Sequence, residues 1–142
     1  MDINIEHLAD QLLALDGPYE PDAVVDTAQA VAELVRRLNH ATFHTSALGY
    51  PSQLHAVLGA LNAAVWGLEQ TLDQLARRLD TWADDPHVRH DQFDAEDHAP
   101  AARAAATAAA DLRDAASQRG HITRHLESAQ ALTSHLGYRE DM

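Results

Sequence analysis

Residues 52–83 read SQLHAVLGALNAAVWGLEQTLDQLARRLDTWA, and their apolar positions decide the fold. Leu54, Leu58, Leu61, Val65, Leu68, Leu72, Leu75, Leu79 and Trp82 alternate at spacings of four and three residues without a break. That repeat has a mean period of about 3.5, the mark of a helix with a supercoiling seam. An average helix has about 12 residues, so one of about 30 needs a sustained pattern of this kind. Its expected length is about 45–50 Å. Gly49-Tyr50-Pro51 separates it from what precedes, and Asp84-Asp85-Pro86 opens the segment that follows.

Working outward, the stretch 84–97 is polar, and with His98 it holds six carboxylates and three histidines, which predicts a solvated loop. A second long helix is expected over about 98–136, with Pro100 tolerated in its first turn. Its seam is Ala101, Ala105, Ala108, Leu112, Ala115, Arg119, Ile122, Leu126, Ala129, Thr133 and Leu136. Small residues let helices approach closely, and alanine has the best helix propensity. Upstream, Ile5, Leu8, Leu12 and Leu15 predict a short helix over about 4–16, ended by Gly17-Pro18. Val24, Ala28, Val31, Val35, Leu38 and Thr42 predict another over about 22–45. The expected fold is all-α, one domain over 1–142. It is an antiparallel helical bundle of three long helices plus a short N-terminal helix, the two longest paired through their seams.

The first half of the 52–83 helix is apolar all round. Opposite the leucines lie Ala56, Ala60, Ala63 and Gly67, with Gly59 and Trp66 beside them. A helix apolar on both sides is buried on both sides. These six residues form the candidate interface. Two covers stay open: an upstream helix of the same chain, or a second subunit with Trp66 as its aromatic anchor. In the second case Ala60→Glu should dissociate the assembly.

The chain has 142 residues, 22 Asp and Glu against 10 basic residues, all of them Arg, and a net charge of −12. Protonating all ten histidines would leave it at −2, still not positive. This disfavours direct binding to nucleic acid or to an anionic membrane surface. The absence of cysteine removes disulfides, thiolate catalysis and cysteine zinc sites. The longest stretch without Asp, Glu or Arg, Leu38–Leu68, is interrupted by Asn39, His40, His44, Pro51, Gln53, His55 and Asn62, so no membrane span is expected. The segment Met1–Glu6 lacks the basic and apolar regions of a signal peptide, and the expected location is cytoplasmic.

Chemistry has few places to reside. His40 with His44, and His121 with His125, are spaced i, i+4, which puts each pair on one helix face at metal-sharing distance. They are the weak metal candidates; no cofactor is expected. The chain has no Glu-x-x-His or His-Glu-x-x-His motif, no phosphate-binding glycine loop and no nucleophile elbow, so no catalytic residue is assigned. The segment Asp84–Asp91, with His87 and His90, is a candidate for divalent-metal binding or for a pH-sensitive surface; it matches no Ca²⁺-loop pattern, and a solvated polar loop is expected. Arg119 falls on a seam, where it either pairs with a carboxylate and fixes register or snorkels out at the bundle edge; the second is expected. Gly120 beside it points to a close neighbour or a bend.

Tyr50-Pro51, Leu54–Leu61, Leu72–Ala76 and the Ala-rich helix ending His135-Leu136-Gly137 resemble small all-helical actinobacterial proteins, uncharacterised in activity. Some of those are encoded near plasmid or mobile-element transfer genes. The resemblance covers about half the chain and implies the all-helical fold. His121 and His125 are also similar to the His-x-x-x-His pair of metal-dependent four-helix bundles of the DinB-like kind. Helix order, the Ala-rich fourth helix and the leucine heptad depart from that pattern. The resulting expectation is a non-enzymatic protein–protein interaction or assembly module, self-associating as a homodimer; the first resemblance implies a role accessory to a mobile element. The alternatives are a DinB-like metal enzyme, and an acidic DNA mimic that inhibits a DNA-binding protein.

Overall fold

The computed structural model describes residues 2–139, whose regular elements are all helices, with no strand among them. The chain divides into two compact units, Met1–Gly49 and Tyr50–Met142.

In the first unit, α1 spans Ile5–Leu12 and α2 spans Pro21–Thr42. Asn4 caps α1: its Oδ1 accepts from the His7 N–H at 3.0 Å, and Glu6 lies in the first turn, where the helix dipole favours a carboxylate. The helix stops at Leu13, whose backbone is extended, and does not reach Asp16. Gly17 adopts a positive φ of 79°, open to glycine without strain, and the Gly17–Pro18 bond is cis. Pro21 starts α2 with its φ already helical. Glu33 accepts from both Arg36 and Arg37 at 2.8 Å. The Arg36 guanidinium, seconded by Arg37, holds the Glu33 carboxyl below its ordinary range. No residue of α1 or α2 is buried within the chain.

The second unit comprises α3 (Pro51–Ala83), α4 (Ala99–Ser117) and α5 (Arg119–Thr133). At 33 residues α3 is about 50 Å long. The expected fourth helix is interrupted at Gln118, where the chain tightens. The Gln118 N–H donates to Ala115, and the Gln118 carbonyl accepts from both His121 and Ile122 at 3.1 and 3.2 Å. Gly120 sits just past this bend, and a Cβ placed there would meet nothing, so the close-neighbour reading of Gly120 falls away.

Partners along the hairpin run in opposite order. His55 meets Gln130 and Thr133, Asn62 and Trp66 meet Glu127, Glu69 meets Arg119, Asp80 meets Arg113, and Ala83 meets His98. The buried layer among the described residues consists of Ala76, Pro100, Ala101, Ala105, Ala109, Ala116 and Thr123. No large side chain is fully buried among the described residues.

This layer differs from the expected seams in two ways. On α3, the face turned toward α4 and α5 carries His55, Gly59, Asn62, Glu69, Ala76, Asp80 and Ala83, one residue along from Leu54, Leu61, Leu68, Leu75 and Trp82. One residue is about 100° of helix rotation, so Leu54, Leu61, Leu68, Leu75 and Trp82 lie on the flank of the hairpin, whereas the alternate seam residues Leu58, Val65, Leu72 and Leu79 are half-buried, Leu79 beside Ala101 and Ala105 of α4. On the other arm of the hairpin, Ala101 and Ala105 of the expected seam are buried, but beyond them Ala109, Ala116 and Thr123 are buried in place of Ala108, Ala115 and Ile122. Size matching explains both shifts. Alanine faces permit close approach only to small residues and backbone, so Leu54, Leu61, Leu68, Leu75 and Trp82 are displaced to the side.

Candidate interaction surface

The polar residues of α3 position the hairpin. His55, near the start of α3, presents Nδ1 to the Gln130 carbonyl at 2.9 Å and to Thr133 Oγ1 at 3.2 Å. It thereby ties the beginning of α3 to the last turn of α5. A Cβ on Gly59 would lie 2.6 Å from Gln130 Nε2, so the Gln130 side chain of α5 lies over Gly59. Trp66 Nε1 donates to Glu127 at 3.4 Å, and the Arg119 guanidinium lies 3.6 Å above the Trp66 ring. Arg119 also donates from Nε to Glu69 Oε2 at 2.5 Å. Arg119 therefore pairs with a carboxylate and does not snorkel outward; its place at the start of α5 aims it across at Glu69. Further along, Arg113 pairs with Asp80 and lowers the Asp80 carboxyl from its ordinary value.

These contacts divide the six candidate interface residues. Gly59 and Trp66 face α5, while Ala56, Ala60, Ala63 and Gly67 stay exposed, and a Cβ on Gly67 would meet nothing. The larger open surface is the leucine flank. Leu54, Leu61, Leu68, Leu75 and Trp82 are each between 36 and 53% exposed, one heptad apart. Leu58, Val65, Leu72 and Leu79 are half-buried beside them. The heptad identifies the helix, but not which stripe α4 and α5 cover.

The histidine pairs remain pairs. His40 and His44 stack edge-on with centroids 5.3 Å apart, as do His121 and His125. Among the described residues no three His, Asp or Glu side chains gather into a metal-holding group. In the 84–97 loop, Asp85 accepts from the His87 backbone N–H at 2.9 Å and meets its ring at 3.1 Å. These bonds, the backbone one first, hold the Asp85 carboxyl below its usual range. The histidine most tightly engaged is His98, which the sequence marks only as the end of the polar loop. Its ring lies between the carbonyls of Ala83 and Val88. The signal for His55 and His98 is positional: each lies near the start of one helix and reaches the end of another.

No described helix is long and apolar enough to cross a membrane. No protein-family model, curated protein or solved structure matches the chain.

Proposed function

We propose that this chain is a protein-interaction and assembly module that works without catalysis, docking through the leucine flank of α3 onto a second copy of itself. One observation carries this reading: five large apolar side chains, Leu54, Leu61, Leu68, Leu75 and Trp82, stand open at heptad spacing on one helix. From Leu54 to Trp82 they cover about 42 Å of helix. A repeat of this kind accepts a second helix with the same repeat, knobs into holes. An identical copy supplies it with matching length and period, and a two-fold arrangement closes the contact on itself. The charge of −12 on each copy opposes association, but residues 52–68 of α3 contain no Asp, Glu or Arg, so half of the face is free of that repulsion. Sedimentation equilibrium on the wild type and on a Leu68→Glu, Leu75→Glu double variant tests the reading. The expected result is a dimer that becomes a monomer in the variant with helicity retained. A wild type that stays monomeric at high micromolar concentration contradicts it, as does a folded variant that remains dimeric.

A further inference from the structure

Where α3 gives way to the loop, one imidazole touches two carbonyl oxygens. His98 Nε2 lies 2.8 Å from the carbonyl of Ala83, the last residue of α3. Its Nδ1 lies 2.9 Å from the carbonyl of Val88, inside the loop. A neutral imidazole has one N–H and one lone pair, and a carbonyl oxygen can only accept. In the neutral ring one nitrogen would therefore set its lone pair against an oxygen at hydrogen-bond distance. Only the imidazolium donates to both.

We propose that His98 is a proton-operated clasp that pins the 84–97 loop to the C-terminus of α3 and releases the loop when the imidazole loses its proton. The surroundings favour the charged ring. The end of α3 contributes its own negative dipole end together with Asp84 and Asp85. On the loop side the charged or titratable groups next to Val88 are His87, engaged with Asp85, then Arg89, and His90, which lies 3.7 Å from Asp91. Asp97 is turned toward α4, where its Oδ1 accepts from the Ala99 N–H at 3.0 Å. The positive N-terminal end of α4 opposes the imidazolium, and α4 carries no cationic side chain before Arg103. The Ala83 carbonyl, then that of Val88, and after them Asp85 and Asp84, raise the His98 pKa above its ordinary value against the effect of burial. With the folded value raised, the clasp is fully closed below the ordinary histidine value of about 6.5 and is lost as pH rises through the folded value.

The clasp holds Val88, Arg89 and His90 along a crevice whose opposite walls are Leu79, Trp82, Ala101 and Ala105. Opening it would uncover Leu79 and Trp82, the C-terminal end of the α3 flank. Only this last consequence rests on the docking reading; the clasp itself does not.

The test uses the full chain, isotope-labelled, followed by NMR from about pH 5.5 to 9. The expected result is N–H signals from both His98 ring nitrogens at low pH and a His98 midpoint above about 6.5. The backbone amides of Asp84 and Arg89, which follow the two accepting carbonyls, should shift with the same midpoint. The heteronuclear NOE of residues 86–92 should fall across it. His98→Gln should abolish the transition, whereas His87→Asn and His90→Asn should leave it in place. A midpoint at or below the ordinary histidine value overturns the proposal. So does a loop equally ordered on both sides of the midpoint, or a transition that persists in His98→Gln. If His98→Gln does not fold, the wild-type titration decides alone.

Discussion

Arg119→Ala should cost about 2 kcal/mol, because Arg119 joins Glu69 and Trp66 of α3 to the start of α5. Its Nε–H bonds to Glu69 at 2.5 Å, and its plane covers the Trp66 ring at 3.6 Å. Trp66 in turn donates to Glu127. A cation–π contact contributes from about 0.5 kcal/mol when exposed to about 2 when desolvated. A hydrogen bond between charged groups contributes about 1.5–3 kcal/mol. The Arg119 and Glu69 side chains are 24 and 32% exposed, so water screens the pair and the lower end of each range applies. Arg119→Lys keeps the charge but loses the Nε–H donor and the guanidinium over Trp66, and should cost about 1 kcal/mol. For a chain of this size the alanine variant should melt roughly 6 °C lower. Urea unfolding followed by circular dichroism would measure the change at constant m. A double-mutant cycle with Glu69→Gln should give a coupling of about 1 kcal/mol. A loss below about 0.5 kcal/mol on truncation, or a lysine variant as stable as the wild type, would refute this account of the node.

Gly67→Ala should raise stability by about 0.8–1.0 kcal/mol in thermal melts, since a Cβ there meets nothing and alanine is the better helix former. Ala109→Leu should cost about 1–3 kcal/mol or more in the same assay, because Ala109 is fully buried, whereas Ala110→Leu on the exposed side should stay within about 0.5. The Asp80 carboxyl is held low by Arg113, so its contribution is complete above the ordinary Asp value and is lost as pH falls through the lower folded value. Urea midpoints measured below about pH 4 should therefore fall more steeply for the wild type than for Asp80→Asn.

The helical class and the long α3 are legible in the sequence because heptad periodicity and the flanking prolines act locally. The expected helix 52–83 matches Pro51–Ala83, and the polar 84–97 loop follows it. The choice of packing face is not legible. Hydrophobic periodicity marks the greasiest stripe of a helix, yet the partner helix here is mostly alanine. Ala76 is the residue of α3 that is buried, whereas the leucines of α3 are half-buried or exposed. Ion pairs at Glu69 and Asp80 reinforce that face, and an isolated Glu or Asp on a helix gives no sign that an arginine some 30 to 50 residues later will reach it. The break at Gln118 is also hidden, since neither proline nor glycine occupies that position and Gly120 lies two residues beyond. The roles of His55 and His98 depend on which helix ends come together, so spacing along the chain cannot reveal them. Conversely, His121 and His125 have the spacing that draws attention, and they are exposed neighbours on α5 that reach no other helix end among the described residues.

The central claim is that two copies meet along the leucine flank of α3, and pulsed dipolar spectroscopy tests it most directly. The chain has no cysteine, so a single Thr71→Cys change places one spin label beside the flank, at an exposed position midway along α3. Two helices packed through that flank have axes about 8–10 Å apart. The account predicts a well-defined dipolar coupling between labels on two chains, abolished by Leu68→Glu with Leu75→Glu. A singly labelled, folded chain that shows no dipolar coupling at high micromolar concentration would contradict it.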